Sequence, residues 1–548
     1  MSKEKNILPD NIDELKKIII SLQENNNTIQ SNYNTIQNNY TELQNKYQSA
    51  QDEIESLHQK YKSALARYFS PTKEKVSQEQ EGQLGLFNEC ETFIDEDQKE
   101  KPADTEENLT IKEYTRKKGG KRKLPEFLPT EEHIYELSEL ERECKYCGKT
   151  HPFIGEERTE ELDIIPMQIK KVVHIAKKYG PCSCDEFLHT GEKEIIKAEK
   201  PKRIIPYSFV SPGLLSYVID MKYNYAMPFY RLSKKFDAIE TEISRATLCN
   251  WSMLAAEKCE TLYLAMLDYI KENRVIQMDE TTVQVLNEEG RAAETKSFMW
   301  VMRGGDMKRK LTLFHYSPTR NSTVPLDLLK GFNGFLQTDG YEGYSKAVSE
   351  YGLIHVGCLA HIRRKFFDAL KSDKKSKTAA HALKLIARIY SIEKKLRDEN
   401  LLPDEFVKKR KDEVVPVLSE FKKWLDEKQV YLTPKTDPGK AVNYAMGQWD
   451  NFINYLGSAE LTPDNNIIEN AIRPFVIGRK NWLFSNTPRG ARSSAVLYSL
   501  VESAKDNNLN VYNYLRFLFT KLPYAESSEE IKKLLPCNLT AEIIKITG

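Results

Sequence analysis

Four of the chain's nine cysteines fall in two tight pairs, Cys144-Lys-Tyr-Cys147 and Cys182-Ser-Cys184, while Cys90, Cys249, Cys259, Cys358 and Cys537 stand singly. Zn²⁺ takes four tetrahedral thiolate or imidazole ligands, and a short spacer lets one turn present two of them to a single ion. Cys144, Cys147, Cys182 and Cys184 are therefore the expected ligands of one structural zinc; the alternative is four unrelated core thiols. The second pair is C-x-C, which leaves one ligand open to replacement by His151, His174 or His189. A zinc knuckle in a large intracellular protein serves nucleic-acid or partner binding, so the rest of the chain has to supply the chemistry.

Two carboxylates are placed to supply it. Asp279 sits inside the apolar, β-branched run Val275–Leu286, where a charge is costly unless it binds something. Asp339 ends the run Gly334–Asp339, just before Gly340. The runs 275–286, 297–303 and 311–316, joined by short Gly-containing turns, predict an antiparallel meander. A short helix (324–329), a fourth strand (334–339), a fifth strand (353–357) and a helix (359–370) follow. This is the order of an RNase H-like sheet, in which the first and fourth strands are neighbours and the two aspartates face each other. Such a pair repels unless cations lie between the carboxylates. Two Mg²⁺ ions held by such oxygens activate a hydroxyl and stabilise the leaving oxygen in an in-line phosphoryl displacement. The alternative is that each Asp simply caps a turn.

The remaining segments must position these groups. Residues 10–70 carry a heptad seam, with Ile12, Ile19, Asn26, Tyr33, Tyr40 and Tyr47 alternating with Leu15, Leu22, Ile29, Ile36 and Leu43. This predicts a coiled coil of roughly 85 Å and a homo-oligomer. Residues 71–130 read as a charged linker holding a basic arm, Arg116, Lys117, Lys118, Lys121, Arg122 and Lys123. The zinc module spans 131–200. Residues 206–262 read as a helical DNA-binding region that resembles a helix-turn-helix, in which Ser244 caps a helix carrying Arg245 and Asn250 toward base edges. The core occupies 270–370, a helical insertion 371–460, the remainder of the core 461–505, and a helical tail 506–548.

Composition narrows the class without deciding it. At 548 residues the chain is long enough for several domains, and its net charge of +1 hides local segregation. The segment 470–501 contains five Arg or Lys and no Asp or Glu. No apolar run reaches the ~18–20 residues of a membrane span, and the start Met-Ser-Lys-Glu-Lys lacks the apolar stretch of an export signal. Unpaired cysteines beside a zinc site suit a reducing cytoplasm, with the protein associated with the nucleoid.

The stretch Asp464-Asn-Asn-Ile-Ile-Glu-Asn-Ala-Ile-Arg-Pro-Phe-Val-Ile-Gly-Arg-Lys-Asn-Trp-Leu-Phe-Ser485 resembles the signature of transposases of the insertion sequence 66 family. So do Tyr498-Ser-Leu-Val-Glu-Ser-Ala-Lys505, Gln83-Leu-Gly-Leu-Phe-Asn88, Gly357-Cys-Leu-Ala-His-Ile-Arg-Arg-Lys-Phe366 and the cysteine pairs. The resemblance spans nearly the whole chain. It implies a multidomain DNA transposase whose α/β RNase H-like core holds an Asp-Asp-Glu triad, mapping here to Asp279, Asp339 and Glu469. Such an enzyme binds the element's terminal inverted repeats, cuts DNA with Mg²⁺ and joins the 3′-OH ends to target DNA. The resemblance also implies small companion proteins encoded by the same element.

Glu469 lies on a helix that begins near Thr462-Pro-Asp464, with Arg473 one turn on. Glu502, Glu280 and Glu342 are its rivals; Glu280 points to the opposite face of its strand from Asp279. Arg473, Arg479 and Lys480 are expected to meet phosphates, as are His361, Arg363 and Arg364. His361 either supports the active site or contacts phosphate, with a plain helix-start histidine as the alternative. Trp482 and Phe484 either stack on exposed bases or fill the core. Two other functions stay open on sequence grounds: an RNase H-like nuclease or resolvase that cuts without joining, and a non-catalytic DNA-binding regulator derived from a transposase.

Overall fold

A computed structural model describes residues 12–69, 132, 168–179, 195–306 and 308–545; the side chains of the first helix are described through Tyr47, apart from Asn45. The basic arm, Cys144, Cys147, Cys182, Cys184, His151 and His189 lie outside the described residues. The chain divides into two compact units, residues 1–72 with 201–548, and residues 73–200.

In the smaller unit, β1 (Lys178–Tyr179) pairs antiparallel with β2 (Ile196–Lys197), Lys178 opposite Lys197. His174 lies in the exposed, extended run before β1.

The larger unit begins with α1 (Ile12–Phe69), one uninterrupted helix of 58 residues. Its heptad positions Ile19, Leu22, Ile29, Tyr33, Ile36, Tyr40 and Leu43 are exposed and Leu15 is half-buried, and the helix also meets the segment Leu359–Ser372. After residue 201 come α2 (Pro212–Ile219), a π-helical turn (Asp220–Asn224), α3 (Phe229–Asp237), α4 (Arg245–Lys258) and α5 (Glu260–Lys271). Ser244 caps α4 as its sequence predicts, accepting from the Thr247 N–H at 3.1 Å. Leu232 and Phe236 of α3 and Leu248 and Trp251 of α4 are buried, while Arg245 and Asn250 face solvent.

The sheet comprises β3 (Val275–Gln284), β4 (Lys296–Gly305), β5 (Lys310–Ser317), β6 (Phe335–Gln337) and β7 (Ile354–Val356), in the order β5-β4-β3-β6-β7. β3, β4 and β5 form the antiparallel meander, and β6 and β7 add in parallel on the other side of β3. This is the mixed RNase H-like order expected from the sequence. Helix α6 (Thr323–Leu328) carries the chain from β5 to β6, and α7 (Ser345–Tyr351) carries it from β6 to β7. Gly334 enters β6 at φ 154°, where a Cβ would collide with the Arg274 carbonyl, so the first turn of β6 needs glycine.

Beyond β7, α8 (Leu359–Ser372) leads into α9 (Lys377–Asp398), α10 (Pro403–Tyr431), α11 (Asp437–Gly447) and α12 (Trp449–Ile453). These helices do not stand apart from the sheet. Ile386, Phe421 and Trp449 share one core with Val275, Phe335 and Val356 of the sheet and Phe366 of α8. Arg410 of α10 is fully buried and donates to the carbonyls of Tyr455, Ser458 and Leu461, with Glu393 as its counter-ion. It thereby fixes the chain that leads into α13 (Asn466–Trp482). Helix α14 (Pro488–Asp506) then packs on β5, and α15 (Val511–Lys521) on α2. Ser499 and Ser503 of α14 donate to the helix's own Ala495 carbonyl and to the Thr312 carbonyl respectively, and accept the Phe314 and Thr312 N–H groups of β5.

Candidate active site

The register of β3 on β6 pairs Gln277 with Gln337. Asp279 lies two residues further along β3, on the same face as Gln277, and Asp339 lies two residues past Gln337, just beyond the end of β6. The two buried amides meet directly: Gln277 Nε2 donates to Gln337 Oε1 at 2.8 Å, and Gln337 Nε2 donates to the Thr462 carbonyl at 2.8 Å. One polar ladder thus joins both aspartate strands to the segment preceding α13. The motif is written twice in the chain, as Gln277-Met-Asp279 and Gln337-Thr-Asp339, a repeat that sequence reasoning missed.

Asn465, fully buried, adds a second tie. Its side chain donates to the Met278 carbonyl at 3.4 Å and its N–H to the Cys358 sulfur at 3.2 Å. Four residues later Glu469 falls in the first turn of α13. Asp279 is half-buried, and desolvation pushes its carboxyl up to about 8, helped by the charge of Glu280 and by those of Asp339 and Glu469, and opposed by the Glu280 N–H. The three carboxylates therefore share one field. Among the described residues, no three His, Cys, Asp or Glu side chains converge as a closed ligand group. Asp339 Oδ1 accepts from the Tyr341 N–H at 3.0 Å.

Near Glu469 stand His361 Nε2 and Arg364, each 3.9 Å from one of its oxygens. His361 Nδ1 and Asn465 Oδ1 are buried with no protein partner. Cys358 is buried beneath Asn465, and burial raises its thiol to about 12. Asp464, also buried and raised by burial, accepts from the Asn466 N–H at 3.1 Å just before α13.

The rivals of Glu469 lie elsewhere. Glu280 is taken up by Arg320 and Tyr344. Glu342 is exposed, and Glu502 on α14 pairs with Lys505 at 3.0 Å. Of the cations expected at phosphates, Arg479 turns inward to the Thr281 and Thr282 hydroxyls of β3 at 3.3 and 3.1 Å. Lys480 and Arg364 are exposed, and Arg363 and Arg473 are half-buried. Trp482 is half-buried. Its ring carries the Lys222 ammonium 3.8 Å from the centroid, and Tyr498 packs beside it. Phe229 and Tyr223 complete a cage around Lys222, a buried lysine that sequence reasoning did not single out. Helix α13 ends in a tight turn at Leu483 (φ 69°, ψ −51°), closed by the Phe484 N–H on the Trp482 carbonyl. Ser485 then pairs in parallel with Val285, tying α13 to the end of β3.

Half-buried carboxylates on β3 and just past the end of β6 in an RNase H-like sheet, with a glutamate from a helix packed on it, suit a phosphoryl transferase of the Asp-Asp-Glu class. Residues 207–493 match the Transposase IS66 family, residues 499–537 the IS66 C-terminal element, and residues 141–185 the zinc-finger binding domain of transposase IS66. The chain belongs to the IS66 family of transposases. Its similarity extends to two uncharacterized proteins of Sinorhizobium fredii. One, y4qI, is 27% identical over 75% of this chain and 77% of its own length; the other, y4jD, is 26% identical over 76% and 82%. Asp279, Asp339 and Glu469 all fall within the catalytic match, whereas Glu502 falls in the C-terminal element. The zinc-finger match contains all four paired cysteines. Among the described residues no helix is long and apolar enough to cross a membrane.

Proposed function

We propose that Asp279, Asp339 and Glu469 are the catalytic carboxylates of DNA transposition, and that the enzyme cuts at the element's terminal inverted repeats and joins the freed 3′-OH to target DNA. The observation that supports this reading is the β3–β6 register, which pairs Gln277 with Gln337 two residues before Asp279 and Asp339, with Glu469 close enough to bear on Asp279. The donor set suits divalent cations. Carboxylate oxygens are the ligands Mg²⁺ prefers, and the Asp279 carboxyl, held up at about 8 by desolvation and like charge, lacks the positive partner a cation would provide. Two Mg²⁺ ions in this position would activate the attacking hydroxyl and stabilise the leaving oxygen.

The chain's own residues do the rest. The Gln277–Gln337–Thr462 ladder and Asn465 hold the three carboxylate-bearing segments in fixed relation, which lowers the cost of assembling the site. Arg364, Arg473, Lys480, His361 and Arg363 line the approach as phosphate contacts, with Arg479 bracing α13 on β3. Trp482 serves to hold Lys222, and Phe484 is the more open of the two aromatics for base stacking. Arg245 and Asn250, exposed on α4, read base edges of the terminal repeat. Cys144, Cys147, Cys182 and Cys184 hold one structural Zn²⁺, and the basic arm adds backbone contacts. The exposed seam of α1 pairs two chains, and with them two ends.

The assignment is tested by comparing Glu469→Gln with Glu502→Gln on end DNA with Mg²⁺. Loss of cutting in the first alone is expected; loss in the second alone would move the third carboxylate to α14.

A further inference from the structure

Arg320 sits in the turn between β5 and α6, at the aspartate end of the sheet, and is held from three sides. Its guanidinium lies over the Tyr341 ring, 3.7 Å from the centroid, and the Tyr341 hydroxyl donates to the Arg320 carbonyl at 2.6 Å. Its Nε donates to Glu280 Oε1 at 2.6 Å and its Nη2 pairs with the same oxygen. The other Glu280 oxygen accepts from the Tyr344 hydroxyl at 2.7 Å. The clamp is built from the catalytic strands themselves, because Glu280 follows Asp279 and Tyr341 follows Asp339 by two residues, with its N–H on the Asp339 carboxylate. The Glu280 side chain is almost wholly buried, at 2% exposure, whereas that of Arg320 is 41% exposed. Its Nη1 has no acceptor among the described residues.

A guanidinium that only neutralised a buried glutamate would have no need of an aromatic face or an open edge. A planar fork fixed by stacking, with one nitrogen uncommitted, is suited to a phosphate oxygen. We propose that Arg320 is a substrate-binding residue of the transposition reaction, its Nη1 donating to a non-bridging oxygen of the DNA backbone at or next to the scissile phosphate, with Glu280, Tyr341 and Tyr344 as positioning residues. The inference rests on Asp279, Asp339 and Glu469 being the catalytic carboxylates.

The test is a cycle of full-length variants, Arg320→Ala, Arg320→Lys, Glu280→Gln and Glu280→Gln with Arg320→Ala. Each is read by single-turnover cleavage of a duplex carrying the element's end in Mg²⁺, and by binding of the same duplex. Arg320→Ala is expected to slow cleavage about 10²-fold, the usual loss when a preorganised donor to a developing charge is removed, while end binding changes less than about threefold. Arg320→Lys recovers part of this, because an ammonium carries the charge without the stacked fork. The double variant, in which no buried charge is left unpaired, stays as slow as Arg320→Ala. Recovery of the double variant to the Glu280→Gln rate overturns the proposal, since Arg320 would then serve Glu280 alone. The same double variant decides the matter if Arg320→Ala does not fold. Wild-type protein that fails to cut the duplex sinks the underlying assignment, an outcome separate from a wild type that cuts and a double variant that recovers.

Discussion

At the scale of single residues, each part of the site has a different expected failure. Asp279→Asn or Asp339→Asn removes a ligand oxygen and its charge but leaves the shape, so cleavage should fall by about 10³-fold or more with end binding nearly intact by mobility shift. Gln337→Leu attacks the support instead. It strands the Gln277 amide in a buried site and should cost about 1–3 kcal/mol in denaturant unfolding, while leaving all three carboxylates present. A Gln337→Leu protein as stable as wild type would remove the ladder from the account. Asp279 stood out in the sequence as a charge inside an apolar β-run, and Asp339 as a charge that closes one. The glutamines were not, because an uncharged polar residue in a strand is ordinary until its partner on the next strand is known. Arg479 was misleading for a related reason: its place in a basic tract suggested phosphate, but the Thr281 and Thr282 hydroxyls compete for it in the fold.

At the scale of elements, the five strands and their order followed from alternation and turn residues, and α1 from eight consecutive heptads. The extent to which the helices of 377–453 merge with the sheet did not. Amphipathic period shows that a helix has an apolar face, and says nothing of which surface will cover it. For α1 the exposed face leads to a prediction. Deleting residues 1–70 should lower the mass by light scattering and prevent pairing of two ends, with single-end binding weakened through lost avidity. Tyr40→Glu with Leu43→Glu should mimic the deletion. Full-length protein that is monomeric at micromolar concentration with and without DNA would contradict it.

The π-helical turn offers a pH test. Burial depresses the Lys222 ammonium from 10.5 to about 7, since the three rings around it replace water incompletely. Below pH ~7 the lysine is charged in both folded and unfolded chains. Between ~7 and ~10.5 the unfolded chain binds the extra proton, so stability should rise with pH across that window. Lys222→Met should abolish this rising limb in thermal unfolding measured from pH 6.5 to 9.5. An unchanged slope would mean that the cage keeps the lysine charged.

At the scale of the whole molecule, the proposed function assigns pairing to α1, recognition to the cysteine pairs and α4, and chemistry to the sheet with α13. Recognition and chemistry should then be separable. Protein prepared without chelators should carry about one Zn²⁺ per chain. Cys144→Ser or Cys182→Ser should lose it together with end-specific binding, and metal analysis finding none in wild type would refute the assignment. The central claim, that this chain cuts and joins DNA through Asp279, Asp339 and Glu469, is tested most directly by incubating purified protein with its element's end duplex, a target plasmid and Mg²⁺, and mapping the products at nucleotide resolution. Breaks at the element boundary and end 3′-OH groups covalently joined to target phosphates are expected, both absent with Asp279→Asn. Cut ends that never join, or joined products that persist in Asp279→Asn, would contradict that claim.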